Sequence, residues 1–268
     1  MTPQPEPLSI AAARFDASFR VRFDEAGADG LARPSTLLRF AQDAAWQHGT
    51  SLGLDRAWYE EHQLVWVVRA VSLEILAPIP VGAVLRISTA VIGHRRIWAR
   101  RRVEMRLDQP QHAAVGRPAD QPVAAVALTD WVLTDLAGRI QRLEASFADI
   151  FGVPPATFEI TRVILGPVPG GAARSTLTVR PQEVDPNGHL NNAVHLDWVD
   201  EVVTVAASGP ATERLPRRYE VEYLAPLAPG ARVALAAWRA DSRGDPDWLV
   251  AMAREGGAAA ARARLVLG

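Results

Sequence analysis

At 268 residues and 29.0 kDa, with 49% hydrophobic and 22% charged residues, the chain can bury a substantial core, which excludes a mainly disordered protein. A net charge of −1 argues against a dedicated nucleic-acid binder, and the lack of cysteine excludes disulfides, thiolate nucleophiles and thiolate metal sites. All 29 cations are arginine, so a lysine Schiff base, a pyridoxal phosphate enzyme and a Walker A lysine are excluded too.

In chain order, Met1 to Ala13 has neither the basic start nor the apolar stretch of a signal peptide. No run of 18 apolar residues follows, and a cytoplasmic chain without membrane insertion is expected. Phe19-Arg20-Val21-Arg22 alternates apolar and polar, the period of a half-buried strand. A helix opens at Pro34, a favoured first position, and is expected to stop before Gly49. A short helix is predicted over 55–62, then strands over 64–76, 84–93, 95–107 and 123–134. Residues 108–122 read as a long hairpin loop and 152–172 as a connector. A strand at Leu177-Thr178-Val179-Arg180 follows, then a helix over 193–208 ended by Gly209-Pro210. Strands over 219–224, 232–240, 248–254 and 258–267 complete the chain. The later helix carries Leu196, Trp198, Val199, Val202 and Val203, too apolar for a surface, so a sheet must wrap it.

These elements occur twice. At an offset of 158, Val21-Arg22 meets Val179-Arg180, Glu25 meets Glu183, Gly30 meets Gly188 and Leu38 meets Leu196. At an offset of 148, Glu74-Ile75-Leu76-Ala77-Pro78 meets Glu222-Tyr223-Leu224-Ala225-Pro226, and Gly82 meets Gly230. Two blocks in the same order indicate duplication, with ten residues fewer between helix and strand in the second copy. The expected class is α+β, a sheet curled around one long helix, made twice. Its parts are 14–151, a linker 152–172, and 173–268.

Between the first strand and the helix of copy two lies Asp185-Pro186-Asn187-Gly188-His189-Leu190-Asn191-Asn192. An acid, an amide and an imidazole at alternate positions sit on a turn feeding a helix N-terminus, whose free N–H groups suit a developing oxyanion. Asp-Pro-Asn-Gly is also ordinary turn chemistry, and Asn191 or Asn192 an ordinary cap. Copy one, however, needs the same turn and has Gly27, Asp29 and Leu31 at the matching positions. Only copy two is chemically equipped. His195 reads as a satisfied or pocket-lining histidine, and His48 as a partner of the helix C-terminus. No grouping has metal-ligand spacing, so neither metal nor cofactor is expected.

The Asp185 to Asn192 segment, with Trp198 and Glu201 beyond it, resembles the Asp-x-Asn-x-His-x-Asn-Asn signature of the acyl-acyl-carrier-protein thioesterases, enzymes of two fused hotdog domains. The resemblance extends to Leu64-Val65-Trp66-Val67-Val68 and Ala127-Leu128-Thr129-Asp130-Trp131-Val132-Leu133. It implies catalytic roles for Asp185, Asn187 and His189 and a catalytic Glu222 in Tyr219-Glu220-Val221-Glu222-Tyr223, while the helix start at Asn191 and Asn192 is the oxyanion candidate by its free N–H groups. The family's cysteine is Tyr223 here, so a thiol nucleophile cannot operate. The resemblance further implies that the acyl chain lies along the copy-one helix, at Leu37, Ala41, Ala44 and Ala45.

The implied activity is hydrolysis of an acyl thioester to fatty acid and thiol. The alternatives are an acyl-CoA thioesterase, an enoyl-thioester hydratase or dehydratase, and a non-catalytic acyl-thioester sensor. Hydratase motifs place the histidine five residues after the aspartate, whereas His189 follows by four. Acyl carrier protein is the expected partner. Alternation puts Arg96, Arg100, Arg102 and Arg106 on one strand face, an arginine row suited to an acidic carrier. Monomer and homodimer both stay open.

Overall fold

The structure, a computed structural model, describes residues 14–108, 122–143, 145–153, 158–207, 214–240 and 247–268. Copy one contributes β1 (Arg14–Arg20), α1 (Pro34–Ser51), α2 (Arg56–His62), β2 (Leu64–Ile75), β3 (Val84–Arg95), β4 (Trp98–Leu107), β5 (Val123–Asp135) and α3 (Ala145–Phe151). Copy two contributes β6 (Ala173–Thr178), α4 (Val194–Ala207), β7 (Arg217–Tyr223), β8 (Arg232–Arg239), β9 (Trp248–Arg254) and β10 (Ala259–Leu267). The ten strands form one antiparallel sheet in the order β1-β3-β4-β5-β2-β7-β10-β9-β8-β6. Counted from its own edge, each half runs first, third, fourth, fifth, second, and the second strands of the halves, β2 and β7, pair at the centre.

The duplication read from sequence is written into the hydrogen bonds. Val21 N–H donates to Ala83 O at 2.9 Å, and Val179 N–H to Ala231 O at 3.0 Å. Ala32 to Ile79 at 2.8 Å is repeated as Leu190 to Leu227 at 2.8 Å, and Leu76 to Ala124 as Leu224 to Ala260. All are related by the offsets of 158 and 148 found in the sequence, with the last acceptor shifted by the shorter loops of copy two.

One face of the sheet is apolar because alternate residues of every strand turn to it: Leu85, Ile87, Val103, Met105 and Ala127 in one half, Tyr219, Val221, Leu235, Val250 and Leu265 in the other. Against this face lie α1, through Leu37, Leu38, Ala41 and Ala44, and α4, through Leu196, Val199, Val202 and Val203. Each fully buried leucine stabilises the fold by about 1.5–3 kcal/mol. Asp55 caps α2 by accepting from Trp58 N–H at 2.9 Å.

Some expected boundaries move. Gly49 does not end α1, which continues to Ser51 with its final turn closed by Leu52 N–H. A strand over 95–107 is broken by the β3–β4 hairpin turn, whose Arg96 takes φ 54°. The short helix α3 was not expected. The loop tip at 109–121 and the terminator Gly209-Pro210 lie outside the described residues.

The connector is not a free linker. Residues 158–163 cross the outer face of the sheet, opposite the helices. Thr161 N–H donates to Asp130 Oδ2 at 2.9 Å and Val163 N–H to Glu222 Oε2 at 3.3 Å. It is thus tied to both halves.

Candidate active site

The Asp185 turn is built by backbone bonds that copy one reproduces. Asp185 N–H donates to His189 O at 2.9 Å and Gly188 N–H to Asp185 O at 2.9 Å, with Gly188 at φ 80°, where a side chain would be strained. In copy one Gly27 N–H donates to Leu31 O at 2.8 Å and Gly30 N–H to Gly27 O at 3.0 Å, with Gly30 at φ 74°. The turn therefore forms without the acid and the imidazole. Folding of the turn does not require them in copy two.

Within the turn, Asp185 Oδ1 accepts Asn187 N–H at 2.8 Å, which fixes the carboxylate and leaves Oδ2 without a partner among the described residues. Asn191 is the cap of α4: its Oδ1 accepts Ala193 N–H at 2.9 Å. Its own N–H is spent on Glu183 O at 2.9 Å, so of the two asparagines only Asn192 keeps a free backbone N–H among the described residues. Asn192 O is held by the Tyr223 hydroxyl at 2.9 Å. Behind it His195 is buried, and burial, outweighing backbone hydrogen bonding at Asn191 and Asn192, pushes its imidazole down to about 4, so the ring stays neutral.

Asp185, Asn187, Asn191 and Asn192 line one cavity of about 760 Å³. The remaining wall comes from copy one: Ala45, Trp46 and Gly49 of α1, Tyr59 of α2, Trp66 and Val68 of β2, and Trp131 of β5. Phe147 and Phe151 of α3 and Ala99 and Arg101 of β4 also line it. Copy two supplies the Asp185 turn, and copy one supplies the aromatic side chains together with polar ones such as Gln42, Asp43 and Glu60.

Several sequence expectations need correction. Among the chamber residues expected on α1, only Ala45 lines the cavity; Leu37, Ala41 and Ala44 are core. The helix has two working faces: 37, 41, 44 and 48 turn to the sheet, while 42, 45, 46 and 49 turn to the cavity. Trp46 was the available signal, a large aromatic among polar neighbours on α1, 49% exposed. His48, in the last turn of α1, has a second partner besides the helix end. It is buried, and its Nδ1 lies 2.9 Å from Arg101 Nη1, so this nitrogen accepts and the ring proton sits on Nε2. Burial lowers the Arg101 guanidinium to about 10.

His189 lies on the turn with its ring exposed and does not line the cavity. Glu222 is not brought to the site. On β7 the buried residues are Arg217, Tyr219, Val221 and Tyr223, so Glu222 points to the outer face, where it meets the connector and lies 4.0 Å from Arg262.

Of the arginine row, Arg100 is covered, while Arg102 stays exposed. Arg100 makes a two-pronged bond to Asp130 at 2.6 and 2.7 Å, donates to Glu159 O at 2.6 Å and stacks on Phe158. Arg102 and Arg106 share Glu104, each at 2.9 Å. Arg96 is on the hairpin turn and not in the row.

Two family models match this chain: the N-terminal domain of acyl-ACP thioesterase over residues 12–117 and the C-terminal domain over residues 170–265. The chain belongs to the acyl-ACP thioesterase family. It is a thioester hydrolase of fatty acyl thioesters, built from two hotdog domains.

Solved structures share the fold. A Lactobacillus plantarum protein assigned as an oleoyl thioesterase superposes with a TM-score of 0.80 at 19% identity, covering 97% of this chain and 98% of its own. An acyl-ACP thioesterase from Bacteroides thetaiotaomicron gives 0.78 at 17% identity, covering 97% and 100%. The 12:0-ACP thioesterase of Umbellularia californica gives 0.75 at 18% identity, covering 96% and 97%. No curated protein matches the chain in sequence. Among the described residues no helix is long and apolar enough to cross a membrane.

Proposed function

We propose that the chain hydrolyses medium or long acyl groups carried on acyl carrier protein, releasing the fatty acid and the carrier thiol in the cytoplasm. The C-terminal copy, residues 173–268, supplies the reacting groups, and the N-terminal copy, residues 14–151, supplies the acyl chamber. The observation that carries this reading is the shared cavity, which joins the Asp185 turn to an aromatic chamber in the other copy.

In this mechanism Asp185 Oδ2 takes a proton from water as the water oxygen attacks the thioester carbonyl carbon. The Asn192 N–H steadies the oxyanion, and Asn187 orients the carbonyl. Collapse breaks the C–S bond, and Asp185 returns the proton to the leaving sulfur. His189, on the same turn, serves the thiol side of the site from the solvent edge.

The test is a hydrolysis panel of carrier-bound and CoA-bound acyl chains from about C4 to C18. Expected is preference for carrier-bound chains. Equal or better turnover of the CoA esters would replace the carrier with CoA as the natural thiol.

A further inference from the structure

We propose that the side-chain amide of Gln42, on the helix of copy one, is a catalytic group of the Asp185 site: it holds the attacking water from across the interface between the copies. The inference rests on the thioester-hydrolase reading and names a residue for it. With Glu222 on the far face of the sheet, the turn supplies one carboxylate, Asp185, beside the amides of Asn187 and Asn192 at its end of the cavity. Gln42 lines that same cavity, half-buried, and its amide has no hydrogen-bond partner among the described residues. It belongs to the 42, 45, 46, 49 stripe of α1 that faces the cavity.

Its position along α1 is set by a cross-copy contact. Arg39 reaches Asp197 on the first turn of α4 at 3.8 Å, and Gln42 follows Arg39 by less than one helical turn. The amide is thereby carried toward the N-terminus of α4, where Asn191 and Asn192 lie. Asp43, beside it, is occupied by Gln47 Nε2 at 3.1 Å, and Glu60, also in the wall, is paired with Arg56 at 2.6 Å.

The duplication supplies an independent contrast. At an offset of 158 the counterpart of Gln42 is Asp200. It accepts the Tyr219 hydroxyl at 2.7 Å and feels the charge of Asp29 on the copy-one turn. Each turn thus faces the other copy's helix. At the copy-one turn this position is filled and tied off, whereas at the copy-two turn it presents a free amide. In the reaction the Gln42 carbonyl oxygen accepts a hydrogen bond from one water hydrogen while Asp185 removes the other, and Gln42 itself exchanges no proton.

The experiment compares Gln42→Met, Gln42→Glu and Asp185→Asn in steady-state hydrolysis with thermal melts alongside. Because the amide bonds to no group among the described residues, Gln42→Met should keep the wild-type melting temperature. It should lower kcat about tenfold to a hundredfold with KM nearly unchanged. Gln42→Glu should move the acidic limb of the kcat profile to higher pH, since a second carboxylate disfavours ionised Asp185. Wild-type kcat in Gln42→Met beside an inactive Asp185→Asn overturns the inference and leaves the hydrolase reading standing. If Gln42→Met proves unstable, an unmoved limb in Gln42→Glu overturns it equally. A wild-type protein inactive on every thioester removes both.

Discussion

Asp185 holds one carboxylate oxygen on Asn187 N–H and presents the other to the cavity, in a turn that Gly27 builds equally well in copy one. Asp185→Asn should therefore fold and melt normally while hydrolysis falls about a hundredfold or more, as for a positioned base. Purified, folded Asp185→Asn with near-normal turnover would sink the assignment. Glu222 presents the opposite case. The family resemblance gives it a catalytic role, yet its carboxylate accepts Val163 N–H on the outer face. Glu222→Gln should keep turnover within about threefold and instead make the connector easier to cleave, read by limited proteolysis. Loss of turnover with an intact connector would restore Glu222 to the reaction.

Among the elements, the outer-face connector changes the meaning of β4. Arg100 and Asp130 are 13% and 1% exposed in their side chains, a buried pair completed by Thr161 N–H and Glu159 O. Removing one partner of such a pair leaves the other uncompensated and costs about 3–5 kcal/mol. Arg100→Glu should lower the melting temperature and impair carrier-bound and small neutral thioesters alike, at low and high salt. A selective, salt-sensitive loss on the carrier substrate alone would return Arg100 to a docking role. The core-facing side of α4 is as exacting. Leu196 is fully buried, and Leu196→Ala should cost about 2–5 kcal/mol in urea unfolding.

For the whole molecule, one pseudo-symmetric arrangement carries the turn proposed to react and a closed counterpart. The closed one stores a charge penalty, because burial pushes the Asp200 carboxyl up to about 7 against an ordinary value near 3.9. Between about pH 4 and 7 the folded state keeps a proton that the unfolded chain has lost, so this group's contribution to stability falls as pH rises through that window. Asp200→Asn, which still accepts from Tyr219, should gain about 4 kcal/mol at pH 8 and about 1 kcal/mol at pH 4.5, measured by denaturant unfolding at both values. Equal gains at the two pH values would mean that Asp200 is ionised in the folded protein throughout.

The order of the elements, their duplication and the special turn in copy two were legible in the chain. Alternation, Pro34 at a helix start, Asp-Pro-Asn-Gly and the offsets of 158 and 148 are local signals that neighbouring residues carry. The two-sidedness of β7 was legible too, since Tyr219, Val221 and Tyr223 alternate with Glu220 and Glu222. Which side would meet the cavity was not. That depends on where α4 and residues 158–163 pack, contacts made by chain far from β7 in sequence. The same holds for Arg100, correctly assigned to the outer face but covered there by a segment about sixty residues away. The cavity is drawn from α1, α2, α3 and four strands of copy one with the Asp185 turn of copy two, and its aromatic wall exists only once they converge. Local sequence sets which residues share a face; long-range packing alone decides what that face touches.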